Sequence, residues 1–285
     1  MSNNSILELY GVSAKEESVK RWQTVVGRQT CPFLKRKCLK VRKSRPDLTI
    51  GTCSVCYGQE RKHLLVCPFR FLERKQVFTD CLQLLTLHQP GNELHLIPEV
   101  SIPGGNVDYF LISVKCGKVK DFVGIELQTL DSTGTIWPAR QRFLKQKGQK
   151  IASRDANSKK SFGINWKMTA KTILVQLHHK IETFEHLNKH LVLVVQDHLL
   201  AYMFKQFNVE KLVPSSLGNP LQIHSYLLSE EEQKHRLFLA ERYSTDAAGL
   251  AVCLGLQESP KLELQTIIAE LERKLSQKTL FTIGV

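Results

Sequence analysis

The sequence predicts an α/β protein: a core of mixed strands and helices preceded by a basic, cysteine-rich module. Three observations carry this. From residue 93 onward, short β-branched and aromatic runs alternate with segments of helical periodicity. Five of the eight cysteines fall between residues 31 and 67. Residues 20–75 hold 15 Lys/Arg against 3 Asp/Glu, a net of +12, while the remaining 229 residues hold 25 against 24. Nearly all of the chain's formal charge of +13 therefore lies in one N-terminal block.

In chain order, residues 1–25 read as a helical lead-in and 28–75 as the cysteine module, built of loops and short strands. Phe71–Leu87 reads as a helix. The run ELHLIPEV (93–100) reads as a strand that IPGG then turns back. Tyr109–Val114 and Phe122–Thr129 read as strands joined across KCGKVKD, because their β-branched and aromatic content suits a pleated surface. Thr129–Gly163 reads as loop with some helix. In Asn165–Glu182, Trp166, Ala170, Ile173, Leu174, Leu177 and Ile181 recur at helical spacing. HLVLVVQD (190–197) is a short continuous apolar run and reads as a buried strand. A strand pair is expected within 236–256. Ser259 as cap, Pro260 at the first helical position and the stripe Leu264, Ile267, Ile268, Leu271 and Leu275 predict a closing helix. The expected division is a module over 1–75 and a core over 76–285.

Composition bounds the function. With 42% hydrophobic and 24% charged residues the chain reads as a folded globular protein. No run of about 18 apolar residues is present, and the N-terminus lacks a basic start followed by an apolar core, so a cytoplasmic protein is expected. The basic block suits a polyanion such as DNA or RNA, the plain alternative being a solvated basic face. A second basic stretch, residues 140–171, has ten Lys/Arg and one acid, Asp155.

In a reducing compartment clustered cysteines bind metal more often than they pair. Four thiolates around Zn or Fe make a closed structural site with no open position for chemistry. Cys31, Cys38, Cys53, Cys56 and Cys67 offer five candidates for four places. A segment this rich in Lys and Arg and poor in long apolar runs needs such a staple to fold.

Acids within apolar strands need a partner. Residues two apart share a strand face, so Glu126 and Gln128 project together. Asp108 opens the preceding strand and approaches Glu126 if the two strands pair. Two carboxylates with a backbone carbonyl and waters suit Mg²⁺.

Taken in order, CPFL (31–34), Cys38, GTCSV (51–55), LVCP (65–68), Asp108–Tyr109, GIELQT (124–129), Asp131 and Gly134 resemble the motifs of the NotI-type restriction endonucleases of the PD-(D/E)XK nuclease superfamily, over residues of about 28 to 200. The resemblance implies a PD-(D/E)XK core, a mixed sheet flanked by helices, with an N-terminal four-cysteine metal module. It implies an active site of Asp108, Glu126 and Gln128, with Asp108 and Glu126 holding Mg²⁺. Gln128 stands where the wider superfamily has Lys, and a neutral amide supplies no positive charge. One structural iron would be bound by Cys31, Cys38, Cys53 and Cys67. Zinc fits the same thiolates, and Cys56 could replace Cys53. The implied function is Mg²⁺-dependent, sequence-specific hydrolysis of double-stranded DNA by a type II enzyme acting as a homodimer, alongside a cognate DNA methyltransferase. The alternatives are a non-catalytic, metal-stabilised nucleic-acid-binding protein, or a repair or RNA-processing nuclease with the same core.

Other residues carry weaker expectations. Glu99 could add an acid for a second metal or be a surface residue before a turn. Lys167 and Lys171 lie four apart on one helix face, either touching phosphates or facing water. TIWPARQ (135–141), which contains Arg140, and residues 153–167 combine side chains that can read base edges. His178, His179, His186 and His190 read as structural, although 186 and 190 could share a helix face.

Overall fold

A computed structural model of the chain describes residues 5–152, 155 and 157–256, together with Ile268, Ala269, Glu272 and Arg273. The centre is a seven-stranded mixed sheet. Its strands are β5 (Glu93–Ile102), β6 (Gly105–Lys115), β7 (Lys118–Gln128), β8 (His190–Gln196), β9 (Val213–Pro214), β10 (Leu221–Glu231) and β11 (Lys234–Thr245), in the spatial order β9-β11-β10-β8-β7-β6-β5. The three central strands β7, β8 and β10 run parallel, and both flanks are antiparallel hairpins. The expected α/β class holds.

β8 shows why the centre is stable. All seven of its residues are buried, and alternate ones serve opposite faces. Leu191, Leu193 and Val195 join the core under α4 (Trp166–His186), with Ile173, Leu177, Ile181 and Phe184. Val192 and Val194 join a second core with Leu65, Phe71, Ile125, Leu127 and Tyr226. α4 runs as its apolar spacing predicts, and its first turn is capped by Asn165, whose side chain accepts from the Met168 amide at 3.4 Å.

The N-terminal layer is a four-stranded sheet in the order β2-β1-β3-β4: β1 (Ser5–Leu9), β2 (Val12–Ser13), β3 (Thr52–Tyr57) and β4 (Lys62–Leu65). Between β2 and β3 come α1 (Val19–Arg28) and two small ribbons, Thr30–Cys31 with Arg36–Lys37 and Val41–Arg42 with Arg45–Thr49. This layer shares its core with the rest, since Ile6, Leu9 and Trp22 cluster with Phe143 of α3 (Trp137–Gln146). Gln196 stitches the two layers: its Oε1 accepts from the Leu65 amide at 2.8 Å and its Nε2 donates to the His63 carbonyl at 2.6 Å.

Several expected elements differ. The lead-in opens with strand β1, and helix starts only at Val19, behind the Ser18 cap. Phe71–Leu87 is not one helix. It breaks at Arg74 and Lys75, both in the left-handed region (φ 52° and 57°), and continues as the single turn α2 (Gln76–Thr79). The break lets Arg70 and Phe71 point inward, away from helical register. The late strand pair is β10 with β11, earlier than expected, and Ala247–Cys253 is helix, begun by Asp246 accepting from the Gly249 amide at 2.7 Å. The helix expected over 259–275 lies almost wholly outside the described residues. Among the described residues no helix is long and apolar enough to cross a membrane.

Candidate active site

β6 and β7 form a tight hairpin. Lys115 pairs with Lys118, leaving a two-residue turn of Cys116 and Gly117 with φ of 52° and 69°, the doubly positive geometry that matches strand twist. From that turn the register runs back to Tyr109 opposite Ile125. One step further it sets Asp108 against Glu126. Directly opposed residues share a face with Cβ atoms about 5 Å apart, so the hairpin brings together the two acids singled out in the sequence.

Their surroundings differ. Glu126 is 5% exposed, and its Oε1 accepts from Lys180 Nζ on α4 at 2.5 Å. Asp108 is half-buried, and its Oδ2 accepts from the Leu127 amide at 2.8 Å. Burial raises both carboxyls. Glu126 is pushed up to about 7: burial is the main cause, the Lys180 bond opposes it and the Asp108 charge adds to it. Burial also raises Asp108, against the Leu127 amide and Lys180, while Glu99 adds to the rise. Glu99 therefore lies within electrostatic reach, on β5, in a left-handed conformation (φ 54°) and exposed to solvent. Gln128 follows on the Glu126 side of β7, with its Nε2 donating to the Thr129 carbonyl at 2.6 Å.

Lys180 was not foreseen. It sits three residues from Leu177 and four from Phe184, on the buried stripe of α4. A lysine on an otherwise apolar stripe was the signal, because a buried ammonium needs an acid.

The basic module approaches this hairpin. Burial and the Asp108 charge raise the Tyr109 phenol, and Arg36 is near enough to oppose them. Lys35, Arg36, Lys37, Lys43 and Arg45 of the small ribbons are exposed. Lys167 and Lys171 are exposed on α4. Arg140, expected on a base-reading surface, is instead 4% exposed. It donates to the Ile50 carbonyl (2.7 Å), Gln141 Oε1 (2.7 Å) and the Tyr10 hydroxyl (3.2 Å), and it stacks over Trp137. With those donors engaged it is an internal tie. His190 is in strand β8, so it shares no helix face with His186, and its ring nitrogens lie 3.2 and 3.0 Å from the carbonyls of Leu84 and Leu217.

Cys31, Cys38, Cys53, Cys56 and Cys67 are all buried. Burial raises the thiols of Cys31, Cys53 and Cys67, and neighbouring thiols add to it: Cys38 on Cys31, Cys67 on Cys53, and Cys38 and Cys31 on Cys67. Cys53 and Cys56 each donate Sγ to a backbone carbonyl, of Gly51 at 3.5 Å and of Arg61 at 3.4 Å. Among the described residues no three His, Cys, Asp or Glu side chains converge closely enough to hold a metal ion.

No curated protein matches the chain. The family model for restriction endonuclease NotI matches residues 19–216, a span that holds the basic module, the Asp108–Glu126 hairpin, α4 and β8. The chain belongs to the NotI family of restriction endonucleases.

Proposed function

We propose that the chain is a Mg²⁺-dependent, sequence-specific endonuclease of the type II class, acting on double-stranded DNA through a PD-(D/E)XK core. The observation that carries this reading is the closeness of Asp108 to Glu126, one step beyond the Tyr109–Ile125 pair of one hairpin, in a chain of the restriction endonuclease family. The donor set fits Mg²⁺, which takes one or two protein carboxylates and completes its shell with water and phosphate oxygens. That requirement is met without a third protein ligand. Asp108 and Glu126 would hold the cation. Bound there, it would supply Lewis-acid charge at the scissile phosphate and lower the pKa of a water. Gln128 contributes a neutral amide that can orient water or a phosphate oxygen and cannot carry charge. The exposed cations of the ribbons and of α4, Lys167 and Lys171 among them, would meet DNA phosphates. A palindromic target would be cut by a homodimer, and a cognate DNA methyltransferase would protect host DNA.

The cysteine module would carry one structural iron or zinc on Cys31, Cys38, Cys53 and Cys67. Four buried thiols of soft-donor chemistry support this, three of them raised by burial and further by neighbours within the set. Closure into a tetrahedron requires them to draw closer than they lie here. Cys56 is the fifth buried thiol, left over from that set. Purified protein should carry about one equivalent of metal by mass spectrometry, lost in Cys67→Ser and kept in Cys56→Ser. Retention in the first and loss in the second would reverse the assignment.

Incubating the protein with unmethylated plasmid and genomic DNA, with and without Mg²⁺, and mapping the ends tests the main reading. Mg²⁺-dependent ends sharing one palindrome are expected. Binding without cleavage would mark a non-catalytic nucleic-acid-binding protein, and scattered cuts or a preference for RNA would mark a repair or RNA-processing nuclease.

A further inference from the structure

Lys180 is out of keeping with its helix. Its neighbours on the same stripe, Leu177, Ile181 and Phe184, are fully buried apolar residues. Its own side chain is 7% exposed, as is that of Glu126. The ammonium has two acceptors, Glu126 Oε1 and the Asn106 carbonyl, each at 2.5 Å. Among the described residues it is the one cation bonded to either carboxylate of the pair. Asp108 and Glu126 together carry two negative charges against its single positive one.

The seat of this lysine is built from both sides. The turn between β5 and β6 places Gly104 (φ +93°) so close to α4 that a Cβ there would lie 1.9 Å from the His179 carbonyl oxygen. A Cβ on Gly105 would lie 3.3 Å from Lys180 Cε. Turn and helix backbone thus meet at van der Waals distance, and the lysine stem is packed between them. A side chain at Gly104 would force turn and helix apart, whereas one at Gly105 would require Lys180 Cε to shift by a few tenths of an ångström. The ammonium ends at Glu126 Oε1, near enough for its charge to act on Asp108 as well.

We propose that Lys180 is a built-in counterion of the carboxylate pair, which an incoming divalent cation must displace from Glu126. This rests on the reading of Asp108 and Glu126 as cation ligands. The ammonium neutralises one of the pair's two charges, the buried one on Glu126, while no cation is bound. The same oxygen cannot serve an ammonium and a divalent ion fully, so one competes with the other. The Asn106 carbonyl gives the displaced ammonium a partner to keep. Released from Glu126, the charge remains at the mouth of the hairpin, where phosphate arrives. Lys180 acts here as a positioning residue, through charge on the pair.

Divalent affinity is measured by calorimetry with Ca²⁺ at pH 8.5, without DNA, for wild type, Lys180→Met, Lys180→Gln, Lys180→Arg and Glu126→Gln. Metal-free affinity for duplex DNA is measured on the same proteins. Removing the competitor is expected to tighten Ca²⁺ binding about tenfold in the neutral variants, the smallest step by which an adjacent opposite charge biases a carboxylate. Metal-free DNA binding should weaken in the same variants, because the carboxylates are left uncompensated. Lys180→Arg should keep both values near wild type. The opposed signs matter, since a folding defect would weaken both. Folded neutral variants with unchanged or weaker Ca²⁺ affinity would overturn the proposal and leave Lys180 a structural tie, and so would neutral variants that do not fold. If wild-type Ca²⁺ binding is the same in Glu126→Gln, the cation reading of the pair itself fails, a result distinct from a failure of the counterion alone.

Discussion

Among the described residues two acid–base pairs have both side chains almost fully buried, and they are built differently. Glu8 of β1 meets Arg70 at 3.0 Å, with both side chains almost fully buried. Glu8 also accepts from Ser54 Oγ at 2.7 Å, and Arg70 further donates to Glu73 (2.9 Å) and the His235 carbonyl (2.7 Å). Arg236 lies 3.4 Å from Glu73, so two acids face two guanidiniums and the charges balance. Glu126 meets Lys180 at a comparable distance and burial, but Asp108 stands opposite with no cation among the described residues bonded to it, and the ionised group keeps a surplus negative charge. Burial and a short distance do not separate a structural pair from a chemical one. The balance of charge does: a closed account ties strands together, whereas an open one calls for a cation.

The largest expected effect tests the open pair. Glu126→Gln removes one of the two proposed cation ligands and is expected to lower cleavage about a thousandfold. The charge stabilisation at stake is several kcal/mol, with tenfold in rate per 1.36 kcal/mol. The protein should remain folded and should still bind duplex DNA without metal. Timed digestion of a mapped plasmid measures the loss, and a folded variant cutting at near wild-type rate would remove the chemical distinction between the two pairs.

The closed pair should fail in the opposite way. Arg70→Met leaves Glu8 buried without its guanidinium and Glu73 with Arg236 alone, and is expected to cost about 3–5 kcal/mol of stability. Cleavage per folded molecule should hardly change. The double variant Glu8→Gln with Arg70→Met should recover a large part of the loss, because no bare charge is left inside. Urea unfolding of the three proteins checks this, and a double variant no better than Arg70→Met would mean that the guanidinium's other bonds dominate.

How much of this was legible beforehand follows from what local sequence encodes. Alternation and apolar runs placed β6, β7, β8 and α4, since each buries a face that its own residues spell out. The opposition of Asp108 and Glu126 was legible because the hairpin turn fixes register over a short span. Register with distant elements was not, so Lys180, 54 residues beyond Glu126, went unseen. Arg140 was read as a surface cation because nothing local reports that the Ile50 carbonyl and the Tyr10 hydroxyl close over it. Phe71–Leu87 reads as one helix because its apolar spacing permits it, and nothing local reports the break at Arg74 or the buried bond from Arg70, just before it, to Glu8.

A third buried group lies outside both pairs and measures how the sheet tolerates charge away from the hairpin. His224 of β10 is fully buried, with Nδ1 3.9 Å from Cys81 Sγ and Nε2 without a hydrogen-bond partner. Burial, reinforced by Arg242, lowers its pKa to about 4. Between pH 6.5 and 4 the unfolded chain binds a proton here and the native chain does not, so stability contributed by neutral His224 is present above pH 6.5 and lost as pH falls toward 4. The full loss is about 3 kcal/mol at 1.36 kcal/mol per unit. His224→Gln should flatten that limb in denaturant titrations across the window, and an unchanged acid limb would place the sensitivity elsewhere.

The smallest effect separates two glycines that flank strand β6. Gly117 (φ +69°) has nothing within 4 Å of where its Cβ would stand. Gly117→Ala should therefore cost only the left-handed conformation, about 1–2 kcal/mol, with no change in divalent affinity. Gly104 (φ +93°) carries the same conformational cost, and in addition its new methyl would strike the His179 carbonyl. Relief requires the turn and α4 to part, which moves the Lys180 ammonium away from Glu126. Gly104→Ala is therefore expected to lose somewhat more stability than Gly117→Ala and to shift Ca²⁺ affinity toward the value of Lys180→Met. Equal stability losses with equal Ca²⁺ affinities would mean that the close approach of turn and helix does not set the lysine. A shift in Gly104→Ala alone would tie the open charge account at Glu126 to a single backbone contact.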